Sequence, residues 1–163
     1  MTDQKAIPLF GVEVARRPAI MFCGHCGRAP ADSLGEPPAR VCRRCGMGLV
    51  LTAPADAAPQ AADPFLVVDA SLNVCAMSRH AERLLDIVET DAINRHVGEF
   101  LVPAEADSRG ANLASLLTRA VRDDLEPASV AVRPANTFGV RYWARIGPCG
   151  PPRAAIVVLA DAG

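Results

Sequence analysis

The spacing of apolar positions changes several times along this chain, and the changes divide it. "FLVVDA" (65–70) and "LNVCAM" (72–77) are short apolar runs on either side of a tight polar break, the pattern of an antiparallel hairpin. In "RHAERLLDIV" the period lengthens. Ala81, Leu84, Leu85 and Val88 fall on one helical face, and Ser78 stands where an N-cap is needed. After an irregular stretch containing "EFLVP", the run "ANLASLLTRAVRDDLEP" repeats the stripe with Leu113, Leu116, Leu117, Ala120 and Val121. It predicts a long helix over 111–126 that Pro127 closes. Three strand-like runs, "SVAVRP", "FGVRYWARIG" and "AAIVVLAD", follow, with the turn-rich "RPANTF" and "GPCGPP" between them. The order predicts an α+β fold, an antiparallel five-stranded sheet with helices on one face. Tyr142 and Trp143 are adjacent on a strand, so one faces the helices and the other the outer side of the sheet.

Upstream the periodicity stops. Residues 53–64 read "APADAAPQAADP", nine of twelve being Ala or Pro, with no large side chain to bury. Each proline fixes its own φ and restrains its predecessor, so 53–62 reads as a semi-stiff linker with few contacts. It separates an N-terminal segment (1–19) and a cysteine module (20–52) from a body at 63–161.

The module contains "FCGHCGRAPADSLGEPPARVCRRCGMG". Cys23, Cys26, Cys42 and Cys45 form C-x2-C-x15-C-x2-C, a spacing suited to a metal ion. Two thiolates in one C-x-x-C turn can reach the same ion, and Gly27 and Gly46 permit the turn's unusual backbone angles. Two such turns close a tetrahedral shell without an open position, which is a structural arrangement. About thirty residues bury too little surface to fold unaided, whereas zinc contributes on the order of 10 kcal/mol in such units. The knuckles "CGHCG" and "CRRCG" resemble those of a zinc ribbon, with "AIMF" and "MGLVLT" as its strands. His25 lies between two better ligands and would strain the turn as a third; zinc on the four cysteines is expected. A rubredoxin-like iron site fits less well, since Phe22 is the module's only aromatic residue.

The body segment "DPFLVVDASLNVCAMSRHAERLLDIVETDAINRHVGEFLVP" resembles the opening of a PAS domain: a strand ending in Asp, a turn, a second strand and a short helix beginning near Ser. "AINRHVGEFLVP" stands where that family has a segment like "iGr…ell.p", and the long helix and last three strands complete its order. The chain departs from the family at Asp86 and Asn94, where Gly is usual, and "DASLN" lacks the frequent Asp-Gly. The resemblance implies a sensory or interaction module whose outer sheet face docks a partner or a second copy. Some PAS domains hold haem or flavin. Here the long helix has no His, Cys or Met, and no flavin-cysteine motif occurs, so neither cofactor is expected, and any other ligand is left open. His80 and His96 read as capping or surface residues. Cys75 reads as a buried small hydrophobe, and Cys149 as a turn residue.

Charge changes this picture little. The formal net charge of 163 residues is -1, so the chain is not an obvious polyelectrolyte binder. Residues 1–50 hold seven Lys and Arg against four Asp and Glu. A zinc tetrathiolate contributes about -2, leaving roughly +1. Arg40, Arg43 and Arg44 cluster at the second knuckle without stacking aromatics, so a solvated or protein-docking face is favoured over nucleic acid. No signal-peptide core or membrane-length apolar run is evident, and a cytoplasmic location with metal or thiol chemistry is the default expectation. No Ser/His/Asp set, P-loop or glycine-rich nucleotide turn points to catalysis. Asp123, Asp124 and Glu126 read as a solvated helix end. The expected protein is non-enzymatic and regulatory, acting on a protein partner or as a homodimer, with output in another polypeptide or in the ribbon itself. The alternatives are a nucleic-acid-binding regulator and a zinc-thiolate redox switch.

Overall fold

The computed structural model describes residues 17–31, 39–104, 112–124 and 126–162. The first sixteen residues of the N-terminal segment, and the expected helix start at residue 111, lie outside them. Among the described residues no helix is long and apolar enough to cross a membrane.

Strands β1 (Ala19–Cys23) and β2 (Val50–Pro54) pair antiparallel and frame the cysteine module, where the two apolar runs were expected to form strands. The body begins with β3 (Phe65–Val68) and β4 (Val74–Met77). Their turn is built by Asp69, whose Oδ1 accepts from the backbone N–H of Ser71 at 2.8 Å and of Asn73 at 2.9 Å. Helix α1 (Arg79–Leu85) starts at Ser78, whose Oγ accepts from the Ala81 N–H. Helix α2 (Glu89–Ala92) and a 3-10 turn (Val97–Glu99) precede β5 (Leu101–Pro103). Helix α3 (Leu113–Val121) is followed by β6 (Ala128–Pro134), β7 (Tyr142–Cys149) and β8 (Ala154–Asp161).

The body sheet is antiparallel with the order β4-β3-β8-β7-β6-β5. It has six strands, not five. "EFLVP", read as irregular, contributes β5, which pairs through Leu101↔Pro134 to Pro103↔Val132 at the sheet edge. Three residues are too few for alternation to declare a strand; only the neighbouring edge of β6 does so.

Helix α3 is also shorter than the expected 111–126. Asn112 caps it, accepting from the Ser115 N–H at 2.7 Å. At its other end the Asp123 N–H bonds the Ala120 carbonyl and the Asp124 N–H bonds the Arg119 carbonyl, with Asp123 at φ 58°. This left-handed C-terminal cap satisfies the last carbonyls before Pro127 is reached. Asp86 (φ 52°) and Asn94 (φ 65°), the two departures from the family's glycines, keep left-handed backbones too. Their short polar side chains make that conformation tolerable.

The inner face of the sheet and the helices share one core, including Leu66, Val74, Leu101, Leu117, Ile146 and Val157. A second core lies on the outer face. Phe65, Val67, Ala76, Cys149, Ile156 and Val158 of the sheet pack there against Phe22, Leu51, Ala53, Ala57 and Ala58. The stretch read as a linker with few contacts is thus partly interior, with Ala57 fully buried. Gly147 makes this approach available, since a Cβ at that position would lie 2.4 Å from the Ala57 Cβ. Arg145 holds the same stretch from below, donating to the Asp56 and Ala58 carbonyls. Thr52 and Gly150 exchange backbone hydrogen bonds at 2.6 and 3.0 Å. The expectation that helices leave the whole outer face open is therefore corrected: the cysteine module covers the part formed by β4, β3, β8 and the end of β7.

Candidate metal centre

The two knuckles repeat one backbone solution. The Gly27 N–H bonds the Cys23 carbonyl at 2.9 Å, and the Gly46 N–H bonds the Cys42 carbonyl at 2.8 Å. Gly27 (φ 71°) and Gly46 (φ 70°) both occupy the left-handed region, as the turn requires. β1 delivers Cys23 directly, and the bridge Val41↔Leu49 aligns the second knuckle beside it.

All four Sγ atoms lie within 4.8 Å of one another, with Cys23 to Cys45 at 3.6 Å and Cys26 to Cys42 at 3.9 Å. A tetrahedral ion with metal–sulfur bonds of about 2.3 Å needs sulfurs about 3.8 Å apart. The cluster fits such an ion. Cys23 and Cys42 are buried, and the other two are half-buried, so the donors form a closed shell at the module's surface.

The surroundings act on the thiols unequally. Backbone N–H groups of His25 and Cys26 point at Cys23 Sγ, each at 3.4 Å. Burial raises the Cys23 and Cys26 thiols, those N–H groups working against it at Cys23. At Cys45 burial also opposes ionisation, but the Gly48 and Met47 N–H groups and the Cys23 and Cys42 thiols outweigh it and lower the thiol to about 6. Cys45 therefore gives up its proton more readily than Cys23 or Cys26, which hold theirs. A divalent cation displaces those protons, so affinity rises with pH.

Gly48 is a structural requirement that the sequence reading missed. A Cβ there would stand 2.3 Å from Cys23 Sγ and 2.7 Å from the His25 backbone nitrogen. Its carbonyl accepts from the Cys42 N–H at 2.7 Å. The available signal was a second glycine just past the knuckle, in "CGMG".

His25 is turned away from the ion site. Its ring Nδ1 donates to Glu89 Oε2 at 3.0 Å, and Nε2 accepts from Arg79 Nε–H at 3.0 Å. The Arg79 N–H bonds the His25 carbonyl. Glu89 Oε1 in turn accepts from the Met77 N–H at 2.9 Å. A knuckle residue is thereby fastened to β4, α1 and α2. With the residue only 4% exposed, these bonds are the ring's polar partners. Sequence reading considered His25 only as a ligand, because nothing local connects it to Glu89, 64 positions later.

The remaining candidates are scattered. Cys75, expected to be buried, lies exposed on β4, and Cys149, expected in a turn, is buried at the end of β7. The irregular register between Val67 and Val68 takes Cys75 out of simple alternation, and the second core closes over Cys149. His96 caps the 3-10 turn through the Gly98 N–H. Tyr142 packs against the inner core, whereas Trp143 is outward and 49% exposed. Trp143 sits between Ala131 and Ala160 on the neighbouring strands. An open groove of about 620 Å³ runs past it, lined also by Gly139, Val140, Arg141 and Asp161. Nearby, the Arg133 guanidinium lies 5.1 Å from the centre of the exposed Phe138 ring. On the cysteine module, Val41, Met47 and Leu49 are exposed beside the arginine cluster.

No protein-family model matches the chain, and no curated protein matches it. Similar solved structures include PAS domains. One is from an HTR-like protein of Haloarcula marismortui, at 14% identity and TM-score 0.46, covering 61% of this chain and 85% of that chain. Another, from Desulfitobacterium hafniense, has 11% identity and TM-score 0.45, covering 61% and 92%. The photoactive yellow protein domain of the sensor histidine kinase Ppr from Rhodospirillum centenum has 17% identity and TM-score 0.44, covering 61% and 85%. The four cysteines lie close enough to bind a metal ion.

Proposed function

We propose that this chain is a non-enzymatic regulatory protein in which a structural zinc centre and a PAS-like body form one recognition unit for a protein partner acting in trans. Zinc is the ion that best suits four thiolates in a closed tetrahedral shell, with no position left for a substrate. Metal analysis of the reduced, purified chain is expected to give one zinc per chain. Cys42→Ser is expected to lose it. A stoichiometry near zero with four free thiols would reject the zinc centre.

The observation that carries the partner reading is the division of the outer face. The apolar strands β3 and β8 are covered by the chain's own module, whereas Trp143 stays open in a groove shared with Arg141, and Phe138 is exposed against Arg133. An exposed Trp and Phe with flanking guanidinium groups have the composition of a protein-interface core rather than of a phosphate track. The same holds for Val41, Met47 and Leu49 beside the arginines of the second knuckle.

Trp143→Ala is expected to change stability by less than about 1 kcal/mol, since its ring is not part of either core. It is expected to abolish recovery of the proteins that the wild-type chain retains from its native lysate. Tyr142→Ala is expected to behave oppositely, costing on the order of 2 kcal/mol through the cavity left on the inner face. Sedimentation of the purified chain distinguishes a second copy from a different protein as the occupant. Equal retention by wild type and Trp143→Ala would reject this face.

A further inference from the structure

The contacts of His25 reach beyond the cysteine module. Its backbone N–H points at Cys23 Sγ. Its ring joins Glu89 of α2 and Arg79 of α1. Glu89 is itself committed twice more: Oε1 accepts from Met77 N–H at 2.9 Å, and its backbone N–H donates to Glu82 Oε1 at 2.7 Å. The side chain of Glu89 is 20% exposed and that of His25 5%, so this polar chain runs through a largely dry contact. Helices of seven and four residues are too short to hold themselves on a sheet by intrinsic propensity. Their position depends on such outside bonds.

We propose that His25 couples the ion to the α1–α2 segment, so that metal binding by the four cysteines and the docking of residues 79–92 are one linked equilibrium. This rests on the reading of the cysteines as a zinc centre. His25 is a positioning residue. Its ring fixes the knuckle backbone whose N–H groups face Cys23, and it transmits the knuckle's order to Glu89 and Arg79. Linkage requires the effect to run both ways: whatever loosens residues 79–92 weakens the ion, and loss of the ion loosens residues 79–92. In a sensor-like body this supplies a route by which a change at α1 and α2 alters zinc retention without any contact to the metal.

The experiment uses the full chain, reduced, with zinc affinity measured by competition against a chromophoric chelator. His25→Ala and Glu89→Gln are each expected to weaken zinc by about tenfold, the usual scale for groups that orient metal ligands. The double variant is expected to be no weaker than the worse single one, because both break the same link. Amide hydrogen exchange supplies the second readout. In the wild type, zinc removal is expected to speed exchange in residues 79–92 more than in α3. In His25→Ala those amides exchange fast already and no longer respond to zinc. A chain that binds no zinc at all would reject the centre, and the coupling with it. Zinc held equally by all variants, or exchange in 79–92 that ignores zinc in the wild type, would reject the coupling while leaving the centre intact. If His25→Ala does not fold, Glu89→Gln and Arg79→Ala carry the same comparison from the body side.

Discussion

Gly48→Ala is expected to remove tight zinc binding, weakening it on the order of 100-fold or more, although position 48 donates no ligand. The added methyl group would fall 2.3 Å from Cys23 Sγ, 2.7 Å from the His25 nitrogen and 2.8 Å from the His25 Cβ. None of these is the free end of a flexible side chain. One is the Cys23 sulfur, and the others are the His25 backbone nitrogen and the Cβ fixed one bond from that backbone. Relief requires moving Cys23 or the second knuckle, either of which opens the tetrahedron. Gly46→Ala is the informative comparison. Its Cβ would meet nothing within 4 Å, but φ is 70°. That substitution carries only the left-handed penalty of about 1–2 kcal/mol, roughly five- to thirtyfold in a coupled binding constant. Chelator competition on both proteins is expected to rank Gly48→Ala well below Gly46→Ala. The opposite order would show that backbone conformation, not close packing, limits the site.

The second large effect is expected from Phe22→Ala, a change in the cysteine module read out in the body. Phe22 is 1% exposed, and its ring stands edge-on to Phe65 of β3 with centroids 5.7 Å apart and planes at 89°. Removing a buried Phe costs about 3–5 kcal/mol, part of it the aromatic pair. For a chain of this size each kcal/mol shifts Tm by about 2–4 °C, so a fall on the order of 10 °C follows. Trp143 is the chain's single tryptophan and lies on the open part of the body sheet. Its fluorescence therefore reports the body and not the knuckles. A single transition displaced downward is expected, and zinc removal should displace it the same way. If the Trp143 transition does not move, the module and the body are independent units joined by a tether.

The inner architecture was legible in local sequence because it obeys local rules. Ser78 caps α1, the stripe Leu113, Leu116, Leu117, Ala120 and Val121 is the buried face of α3, and Tyr142 and Trp143 point to opposite sides of β7. The convergence of the four cysteines was legible for the same reason, since C-x-x-C-G encodes a turn whose angles and sulfur positions depend on five consecutive residues. The boundary of α3 was less legible. A left-handed cap at Asp123 ends the helix by backbone hydrogen bonds that an aspartate allows but does not announce.

What local reading could not supply is which surfaces meet. The Ala/Pro composition of 53–62 is equally suited to a tether in water and to a thin layer pressed on a sheet. Small side chains decide only that close approach is available, and Gly147, ninety positions beyond Ala57, accepts it. The sequence did carry one trace of this cover. β3 reads FLVV and β8 begins AAIVVL, every residue of both runs buried, whereas β6 alternates. A strand with water on one side alternates; one covered on both sides is continuously apolar. That pattern states that β3 and β8 are covered twice but not by what. The cysteine turns and the order of the elements other than β5 were thus determined by short-range chemistry in the sequence itself. The fastening of His25 to Glu89, the closure of Gly48 over Cys23 and the seating of the module on the sheet were decided by tertiary structure, because each joins residues whose proximity no local hydrogen bond or backbone preference specifies.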